Sequence, residues 1–378
     1  MMNYMDHSAT TKPRKEVLDT FIKVNEDFFG NPSSIHEMGV EASQLLNRAR
    51  SQIASLLGTD DRKVIFTSGG TESNHFSITG IAKSMRHRGR HILTSKIEHP
   101  SVIETMKQLE EEGFEIEYLD VNEEGLVTVE TLQMALRKDT ILISLMHINN
   151  EIGSIQPISV LAKFVKKTSR AIFHVDAIQS FGKYPVTFQT LGVDILSISG
   201  HKLNGLKGTG IVAWQSELTF QPVLVGGAQE FGLRSGTVPV PQAVSLAKAM
   251  RIIHEESSQA YSKYEKWSND LREFLGKYPS IKIISPMQGA VHILSFSIRD
   301  VKGEVIINAL QSKGIIVSTS SACSSKQTKT SHVIEALNIS DAYKKGVIRI
   351  SFGYGMTDEH IQHFKENFIG IMKQLKGE

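Results

Sequence analysis

The sequence contains one cysteine, Cys323, among its 378 residues, so no disulfide can form within the chain. A reducing cytoplasm is the natural compartment for such a composition. No run approaches the roughly 18 uninterrupted apolar residues of a transmembrane helix, and the first residues lack an apolar segment of signal-peptide length. Lysine and arginine number 42 against 40 acidic residues, so the overall charge implies no polyanionic partner. We therefore expect a cytoplasmic protein with no membrane contact and no direct contact with nucleic acid.

The single cysteine has unusual neighbours, because it lies in the run STSSACSS at residues 318–325. A structural cysteine is usually buried among apolar side chains, whereas small hydroxylated residues favour an exposed segment. Without a second cysteine, Cys323 has three possible roles: inert thiol, metal ligand or nucleophile. Its neighbours favour a reactive thiol, but a thiol alone names no reaction.

Short apolar runs alternate with helix-like stretches through the first two thirds of the chain. Apolar runs separated by helices are typical of a mostly parallel sheet that is covered on both faces. The predicted strands are residues 64–66, 91–93, 116–119, 141–145, 171–175 and 195–198.

A long helical pattern begins at Pro239 and ends near Gly276, and beyond it the pattern changes to α+β. A helix of this length often bridges two domains. We predict a large domain of residues 13–256 and a small domain of residues 1–12 and 257–378. Cys323 would then follow a strand of the small domain.

The string FTSGGTESN, residues 66–74, ends one of the predicted strands. Two glycines turn the chain, and Thr71 can cap the helix that follows. The backbone N–H groups of residues 69–71 would then form a phosphate site at the helix N-terminus. A simple tight turn is the commoner explanation of Gly-Gly-Thr. The string is neither a Walker A nor a GxGxxG motif, which argues against a nucleoside triphosphate or NAD.

Two further strand ends carry ionisable residues, Asp176 in HVDAIQS and Lys202 in SGHK. A carboxylate at the end of a buried strand needs a cationic or protonated partner, so Asp176 is either a structural cap or the partner of a pyridinium nitrogen. Gln179 could face the same site. Lys202 is either a solvated lysine or a Schiff-base lysine in the crevice where open α/β sheets bind ligands. Ser199 and His201 offer further phosphate donors.

Together these strand ends supply an anion site, a buried acid and an amine, in chain order. Pyridoxal 5′-phosphate requires all three: a cradle for its phosphate, a counter-charge for its ring nitrogen and an amine for its aldehyde. The combination therefore predicts this cofactor, and we predict no metal site.

These residues also match a known family along nearly the whole chain. The chain resembles the class V aminotransferase group of fold-type I pyridoxal-phosphate enzymes, and within it the NifS/IscS-type cysteine desulfurases. The matching strings are YMDHSATT, FGNPSSIH, FTSGGTES, SKIEHPSV, MHINNEIG, HVDAIQS, SGHK, RSGT, SSACSS and IRISFG. The resemblance implies a mostly parallel seven-stranded sheet with a smaller α+β domain. It also implies conversion of L-cysteine to L-alanine through a ketimine, with the sulfur carried as a persulfide on Cys323.

The resemblance assigns roles around the cofactor. Lys202 matches the Schiff-base lysine, Asp176 the pyridinium partner and Gln179 the group bonding the phenolic oxygen. His99 in SKIEHPSV matches the imidazole that stacks on the ring and is credited with proton transfer.

The remaining roles concern the phosphate, the substrate and the second subunit. Asn150 and Arg349 match groups that position the substrate, Asn150 also lying at the cofactor. Thr237 in RSGT matches a phosphate ligand that comes from the partner subunit, so the resemblance implies a homodimer. Phosphate contacts within the subunit match Gly70, Thr71, Ser199 and His201.

The sequence departs from the family pattern in several places. Ser320 replaces the usual glycine of the cysteine segment, and Leu206 replaces a frequent proline. Ala228 and Gln229 replace a Gly-His pair, and Tyr354 replaces an arginine. None of these changes removes a group that the chemistry needs.

Three alternatives stay open. The chain could be a class V aminotransferase, a selenocysteine lyase, or a binding or regulatory protein on the same fold. For a desulfurase, the sulfur acceptor could be a tRNA- or thiamine-thiolating enzyme or an iron–sulfur scaffold protein. A basic patch at residues 83–91 is either a solvated face or a docking site for an acidic acceptor.

Overall fold

The computed structural model describes residues 2–319 and 330–377. Cys323 and Ser320 lie outside the described residues, so what the sequence predicts for them stays a prediction. Within these two ranges, no helix has both the length and the apolar character needed to cross a membrane.

Strands and helices alternate through the first two thirds of the chain, as the sequence predicts. The strands are β1 (Asn3–Tyr4), β2 (Val64–Thr67), β3 (His91–Ser95), β4 (Glu115–Leu119), β5 (Thr140–Met146), β6 (Ile172–Asp176), β7 (Ile195–Ser199), β8 (Gly210–Trp214), β9 (Ile281–Ile283), β10 (Ile293–Ile298), β11 (Ile315–Ile316), β12 (Ser318–Thr319) and β13 (Val347–Ser351). The α-helices are α1 (Lys15–Asp27), α2 (Glu37–Leu57), α3 (Gly70–Ser84), α4 (Pro100–Glu111), α5 (Val129–Ala135), α6 (Ile158–Thr168), α7 (Phe188–Leu191), α8 (Val240–Leu275), α9 (Gly303–Gln311), α10 (His332–Ala336), α11 (Asp341–Lys344) and α12 (Asp358–Lys376).

The large sheet has seven strands in the order β2-β8-β7-β6-β5-β3-β4. Strand β8 runs antiparallel to both of its neighbours, and the other pairings are parallel. Alternate residues of the strands belong to two separate apolar clusters, one on each face of the sheet. Because both faces are covered, the central strands carry apolar residues on both faces. The predicted α/β class with a mostly parallel seven-stranded sheet is confirmed.

Strand β8 is the one strand of this sheet that the sequence analysis missed. It begins in a glycine-rich string, and glycine is depleted in strands. Gly210 has a specific reason to be glycine: a Cβ there would lie 2.7 Å from Thr67 Oγ1 and 2.8 Å from the backbone of Gly69. The residue that weakens the strand pattern is therefore the one that lets β8 approach the end of β2.

Helix α8 is 36 residues long and contributes to two apolar cores. Leu246 and Met250 pack in the core of the large sheet, whereas Trp267 and Leu271 pack in the core of the C-terminal sheet. The predicted bridging helix is therefore present. The domain limits at residues 12/13 and 256/257 stay a prediction.

The C-terminal sheet has four antiparallel strands in the order β12-β13-β10-β9, and β1 pairs with β11 in a parallel two-stranded sheet. The sequence predicts one strand over residues 314–318, but the chain changes partners there. Ile316 pairs with Tyr4, and Ser318 pairs with Arg349. The prediction is therefore corrected to two short strands that join the N-terminus to β13.

Candidate active site

The carboxyl ends of the parallel strands bring the predicted cofactor residues to one edge of the large sheet. Asp176, at the end of β6, is in register with Met146 of β5 and with Ser197 of β7. Ser199 ends β7, and Lys202 follows it in a short 3-10 turn. Residues far apart in sequence therefore meet in the crevice above the strand ends, where open α/β sheets bind ligands.

The N-terminal segment lies against the predicted Schiff-base lysine. The Nζ of Lys202 donates to the carbonyl oxygen of Ala9 at 2.7 Å and to that of Ser8. The side-chain amide of Gln179 donates to the same Ser8 oxygen at 3.0 Å. The amine is thus held by two carbonyl groups at the strand edge, where an aldehyde would have to meet it.

Asp176 is buried and has only neutral hydrogen-bond partners in the described chain. Its carboxylate accepts from Asn74 Nδ2 at 2.8 Å and from the backbone N–H of Ile178 at 2.9 Å. Burial raises the pKa of Asp176, and the nearby Lys202 and His99 only partly oppose this. A carboxylate in this position is suited to a cationic N–H donor, which is what a protonated pyridine ring offers.

His99 caps the N-terminus of α4. Its Nδ1 accepts from the backbone N–H of Ser101 at 3.1 Å and lies 2.9 Å from Ser101 Oγ. Burial lowers the pKa of His99, with Asp176 opposing that shift and Lys202 adding to it. The imidazole is therefore neutral at physiological pH.

The predicted phosphate cradle is the first turn of α3, a helix of 15 residues. Its first N–H groups have no acceptor within the helix. Gly69 enters the turn at φ +149°, and a Cβ on Gly70 would lie 2.3 Å from Ile178 Cδ1, so a side chain does not fit there. The buried Oγ of Ser199 has no hydrogen-bond partner among the described residues. The first backbone N–H groups of α3 and the unpartnered hydroxyl of Ser199 fit a phosphate group.

Two other predicted phosphate contacts flank this cradle. Thr71 is exposed in the first turn of α3. His201 Nδ1 lies 3.2 Å from Thr10 Oγ1. Burial lowers the pKa of His201 to about 4, with Lys202 adding to the shift, so this ring is a neutral donor or acceptor.

Arg349, on β13, reaches the same crevice from the C-terminal sheet. Its Nη1 donates to the carbonyl oxygen of Asn150 at 2.8 Å, and its Nη2 donates to Asp6 Oδ1 at 2.7 Å. Its Nε is buried and has no partner within the described part of the chain. A guanidinium that is fixed on one side and unpaired at Nε is suited to a carboxylate ligand.

Two predicted site residues, Thr237 and Cys323, are not among the residues that the structure places in this crevice. Thr237 is exposed in the connection between β8 and α8. Cys323 lies outside the described residues, but the described residues on either side of its segment contact the site. Ser318 pairs with Arg349, and Ser331 Oγ donates to Glu151 Oε2 at 2.6 Å.

Sequence analysis missed three residues that orient the site. Asp6 holds Arg349, and Asn74 and Ser101 connect Asp176 with His99. Asn74 could have been found, since it lies four residues after Gly70 and so shares a helical face with the start of the cradle. Asp6 could not, because its partner is 343 residues away.

Comparisons with known proteins agree with this geometry. The model of the family described as aminotransferase class-V matches residues 3–364. "Cysteine desulfurase IscS" of Methanosarcina thermophila is 39% identical over 374 residues, which cover 99% of this chain and 92% of that protein. A solved "NIFS-LIKE PROTEIN" is 37% identical with a TM-score of 0.93, covering 99% of this chain and 100% of the other. A structure titled "SspA in complex with cysteine" is 31% identical with a TM-score of 0.81, covering 93% and 98%.

Proposed function

The chain belongs to the class V aminotransferase family as a pyridoxal-phosphate-dependent cysteine desulfurase, and from this premise we propose which residues carry the reaction and what receives the sulfur. The observation that carries the proposal is the meeting of a buried carboxylate, Asp176, with the amine of Lys202 at neighbouring strand ends. We propose L-cysteine as the substrate, and a solved relative is titled as a complex with cysteine.

Lys202, Asp176 and the first turn of α3 hold the cofactor in this proposal. Bound pyridoxal phosphate supplies an electrophilic aldehyde for the substrate amine and an electron-withdrawing ring. Asp176 keeps the ring nitrogen protonated, since burial of its own charge favours a cationic partner. Gly70, Thr71 and Ser199 bind the phosphate, with His201 beside them, and Gln179 faces the phenolic oxygen.

Arg349 binds the substrate carboxylate. Asp6 and the Asn150 carbonyl fix the plane of the guanidinium, so its unpaired Nε and a remaining Nη hydrogen form a fork of two donors. Such a fork matches a carboxylate better than an ammonium does. Asn150 has no side-chain hydrogen bond within the described ranges, so its amide is available to substrate or cofactor.

Cys323 accepts the sulfur. Its thiolate attacks the substrate's sulfur atom, an S–S bond forms, and the Cβ–S bond breaks with its electron pair left on the carbon side. That carbon then takes a proton, and the organic product is L-alanine. An ordinary cysteine is only a few per cent thiolate at pH 7, so the site has to favour the thiolate of Cys323.

Product analysis tests this assignment. Purified protein is incubated with L-cysteine and a reductant, and sulfide and alanine are measured for the wild type and for Cys323→Ala. We expect the wild type to form sulfide and alanine in equal amounts. We expect Cys323→Ala to form both products much more slowly than the wild type. Transamination that survives in Cys323→Ala, with no sulfide from either protein, would instead identify an aminotransferase.

A homodimer completes the proposed site through Thr237 of the second subunit. Exposed large apolar side chains support a subunit interface, since they concentrate in the segments 18–40 and 223–231. Arg234, three residues before Thr237, pairs with Glu72 in the first turn of α3 at 2.8 Å. Thr237 is therefore exposed three residues from a contact with α3, where a second subunit could reach it.

Subunit mixing distinguishes a shared site from a self-contained one. Lys202→Ala and Thr237→Ala each inactivate a homodimer. Subunits of the two variants are then combined into mixed dimers, each with one Lys202→Ala and one Thr237→Ala subunit. If Thr237 serves the partner's site, such a mixed dimer contains one fully wild-type site and regains activity. If it serves its own site, both sites of a mixed dimer carry a defect and no activity returns.

The sulfur acceptor is a protein of tRNA or thiamine thiolation or an iron–sulfur scaffold, and a basic surface supports docking of an acidic partner. Of the patch predicted at residues 83–91, Arg86, His87, Arg88 and Arg90 are exposed, whereas Lys83 pairs with Glu112 and His91 is 1% exposed. Arg88 also lines a groove of about 640 Å³ together with residues from helix α6 and nearby loops. This basic groove is lined by Arg88, Lys138, Lys166, Lys167 and Arg170.

A further inference from the structure

Asn74 links the two side chains that would lie on the cofactor ring. It is fully buried on α3, and its Nδ2 donates both to Asp176 Oδ2 at 2.8 Å and to Ser101 Oγ at 3.0 Å. Ser101 Oγ in turn lies 2.9 Å from His99 Nδ1. Asp176, Asn74, Ser101 and His99 therefore form one continuous chain of hydrogen bonds.

The direction of each hydrogen in this chain follows from the chemistry of its members. A carboxylate only accepts, so the amide group facing Asp176 must be the NH₂ of Asn74. The second N–H of Asn74 is donated to Ser101 Oγ, which leaves the hydroxyl hydrogen of Ser101 free to point at His99 Nδ1. The backbone N–H of Ser101 points at the same nitrogen, at 3.1 Å.

Two donors therefore converge on Nδ1 of His99. A ring nitrogen that accepts hydrogen bonds carries no hydrogen, so a neutral His99 must carry its proton on Nε2. Nε2 has no hydrogen-bond partner in the described chain. The titratable groups around the ring are Asp176, Lys202 and His332, and burial favours the neutral form of His99 over the imidazolium.

We propose that Asn74 is a positioning residue that fixes His99 as the neutral, Nε2-protonated tautomer, so that His99 acts as a hydrogen-bond donor to the reacting groups and not as their base. This proposal rests on the proposed function only for the identity of the reacting groups. A proton can be added to this tautomer only at Nδ1, where two donors already point. An anion that develops beside Nε2, such as a substrate thiolate, would be stabilised there. The base is then another group, for which the amine of Lys202 is placed.

The proposal predicts a definite protonation pattern on the protein itself. Histidine-labelled protein, without and with cofactor, is examined by magic-angle-spinning ¹⁵N spectroscopy, with His99→Gln to assign the signals. We expect His99 Nδ1 to be unprotonated and Nε2 protonated throughout pH 6.5–9. Protonated Nδ1 in the wild type in this range would overturn the proposal.

Two variants test the role of the chain of hydrogen bonds. Ser101→Ala removes the hydroxyl donor, and Asn74→Leu removes the group that orients it, so both should raise the pKa of His99 and admit the second tautomer. Thr105→Val is the matched control, because this buried hydroxyl on α4 bonds to the Ser101 carbonyl and not to His99. An unchanged His99 signal in both Ser101→Ala and Asn74→Leu would contradict the proposal.

Kinetics separate positioning from a structural effect. Loss of the Nε2-protonated tautomer should lower kcat and add an ionisation to the pH profile of kcat, while KM changes little. Ser101→Thr keeps the hydroxyl, so this variant should show the wild-type pH profile. If Ser101→Ala lowers activity with the wild-type pH profile and the wild-type tautomer, its role is structural. Because the spectra need no turnover, they remain decisive even if the chain catalyses a different reaction.

Discussion

At the scale of single residues, the site is built from ionisable groups that burial holds in unusual states. Asp176 is pushed toward its protonated form and His99 toward its neutral form, each by desolvation. Arg349, which is buried, forms an ion pair with Asp6 at 2.7 Å. Ser199 Oγ and Arg349 Nε are buried without a hydrogen-bond partner in the described chain, and these atoms are expected to meet the cofactor and the substrate.

Replacing Arg349 should weaken substrate binding. Hydrogen bonds between charged groups are worth about 1.5–3 kcal/mol, so Arg349→Gln should raise KM for L-cysteine roughly tenfold to a hundredfold. Arg349→Lys should recover little of this, because an ammonium cannot form the planar fork. Steady-state kinetics check the expectation, and Lys302→Gln, at an exposed site, is the control. A KM unchanged in Arg349→Gln would remove Arg349 from the substrate site.

Glu98, beside His99, should make the protein less stable as pH rises. It is fully buried, and burial raises its pKa to about 8. A carboxyl whose pKa is raised on folding contributes stability that is complete below its unfolded pKa, about 4.5, and is lost as pH rises through the folded value. Glu98→Gln should therefore gain stability relative to the wild type between pH 6 and pH 9.

Denaturant unfolding at pH 6 and pH 9 measures this difference. Glu104→Gln, at an exposed position on α4, serves as the control and should track the wild type at both values. A wild-type stability that rises from pH 6 to pH 9 relative to Glu98→Gln would contradict the assignment.

At the scale of elements, the sequence predicts what local pattern controls. The six predicted strands and the long helix follow from apolar runs and from helix-end residues, and each is present. Strand β8 and the break between β11 and β12 were not predictable in this way. Both depend on a distant neighbour: Thr67 and Gly69 for the start of β8, and Tyr4 and Arg349 for the break.

The residues of the active site show the same contrast between local sequence pattern and distant contacts. Lys202, Asp176 and the α3 turn are predictable because each follows a strand directly, and strand ends meet at one edge. The partners of these groups are less accessible to sequence reasoning, since the Ser8 and Ala9 carbonyls and Asp6 come from the other end of the chain. Their contacts are set by how the N-terminus folds back over β7.

The tight approach of β8 to β2 should matter for the cofactor. A Cβ at Gly210 would press on the Gly69 backbone, directly before the cradle. Gly210→Ala should therefore displace the turn and weaken pyridoxal-phosphate binding about tenfold or more, the cost of overpacking being roughly 1–3 kcal/mol. Fluorescence titration of the apoprotein with the cofactor measures it. Gly370→Ala on α12, where a Cβ meets nothing, should bind normally, and equal affinities would refute the argument.

At the scale of the whole molecule, the basic groove lies at the amino ends of the central strands, and the active site lies at their carboxyl ends. The groove residues Lys138 and Arg170 precede β5 and β6, whereas Asp176 ends β6. Strands of this length separate their two ends by roughly 17 Å. A partner bound in the groove would therefore leave the chemistry at the cofactor undisturbed.

Reversing charge in the basic groove should slow delivery of sulfur without slowing its release from cysteine. We expect unchanged alanine production for Lys166→Glu with Arg170→Glu, and also for Arg86→Glu with Arg88→Glu, in which Arg88 lines the groove and Arg86 belongs to the predicted patch beside it. Transfer to an acidic acceptor protein should be slower, and the effect should shrink with added salt. Lys302→Glu with Lys313→Glu, on the small domain, is the control of equal charge change. Equal transfer rates in all proteins would exclude the groove as the docking site.

Mass spectrometry of the protein shows whether this chain moves sulfur from L-cysteine onto its single cysteine. After a brief reaction with L-cysteine and without reductant, the thiols are alkylated and the peptide containing Cys323 is analysed. We expect a gain of one sulfur atom on Cys323 in the wild type, with alanine formed, and no such gain in Lys202→Ala. Alanine formed by the wild type with Cys323 unmodified at every time point would contradict it.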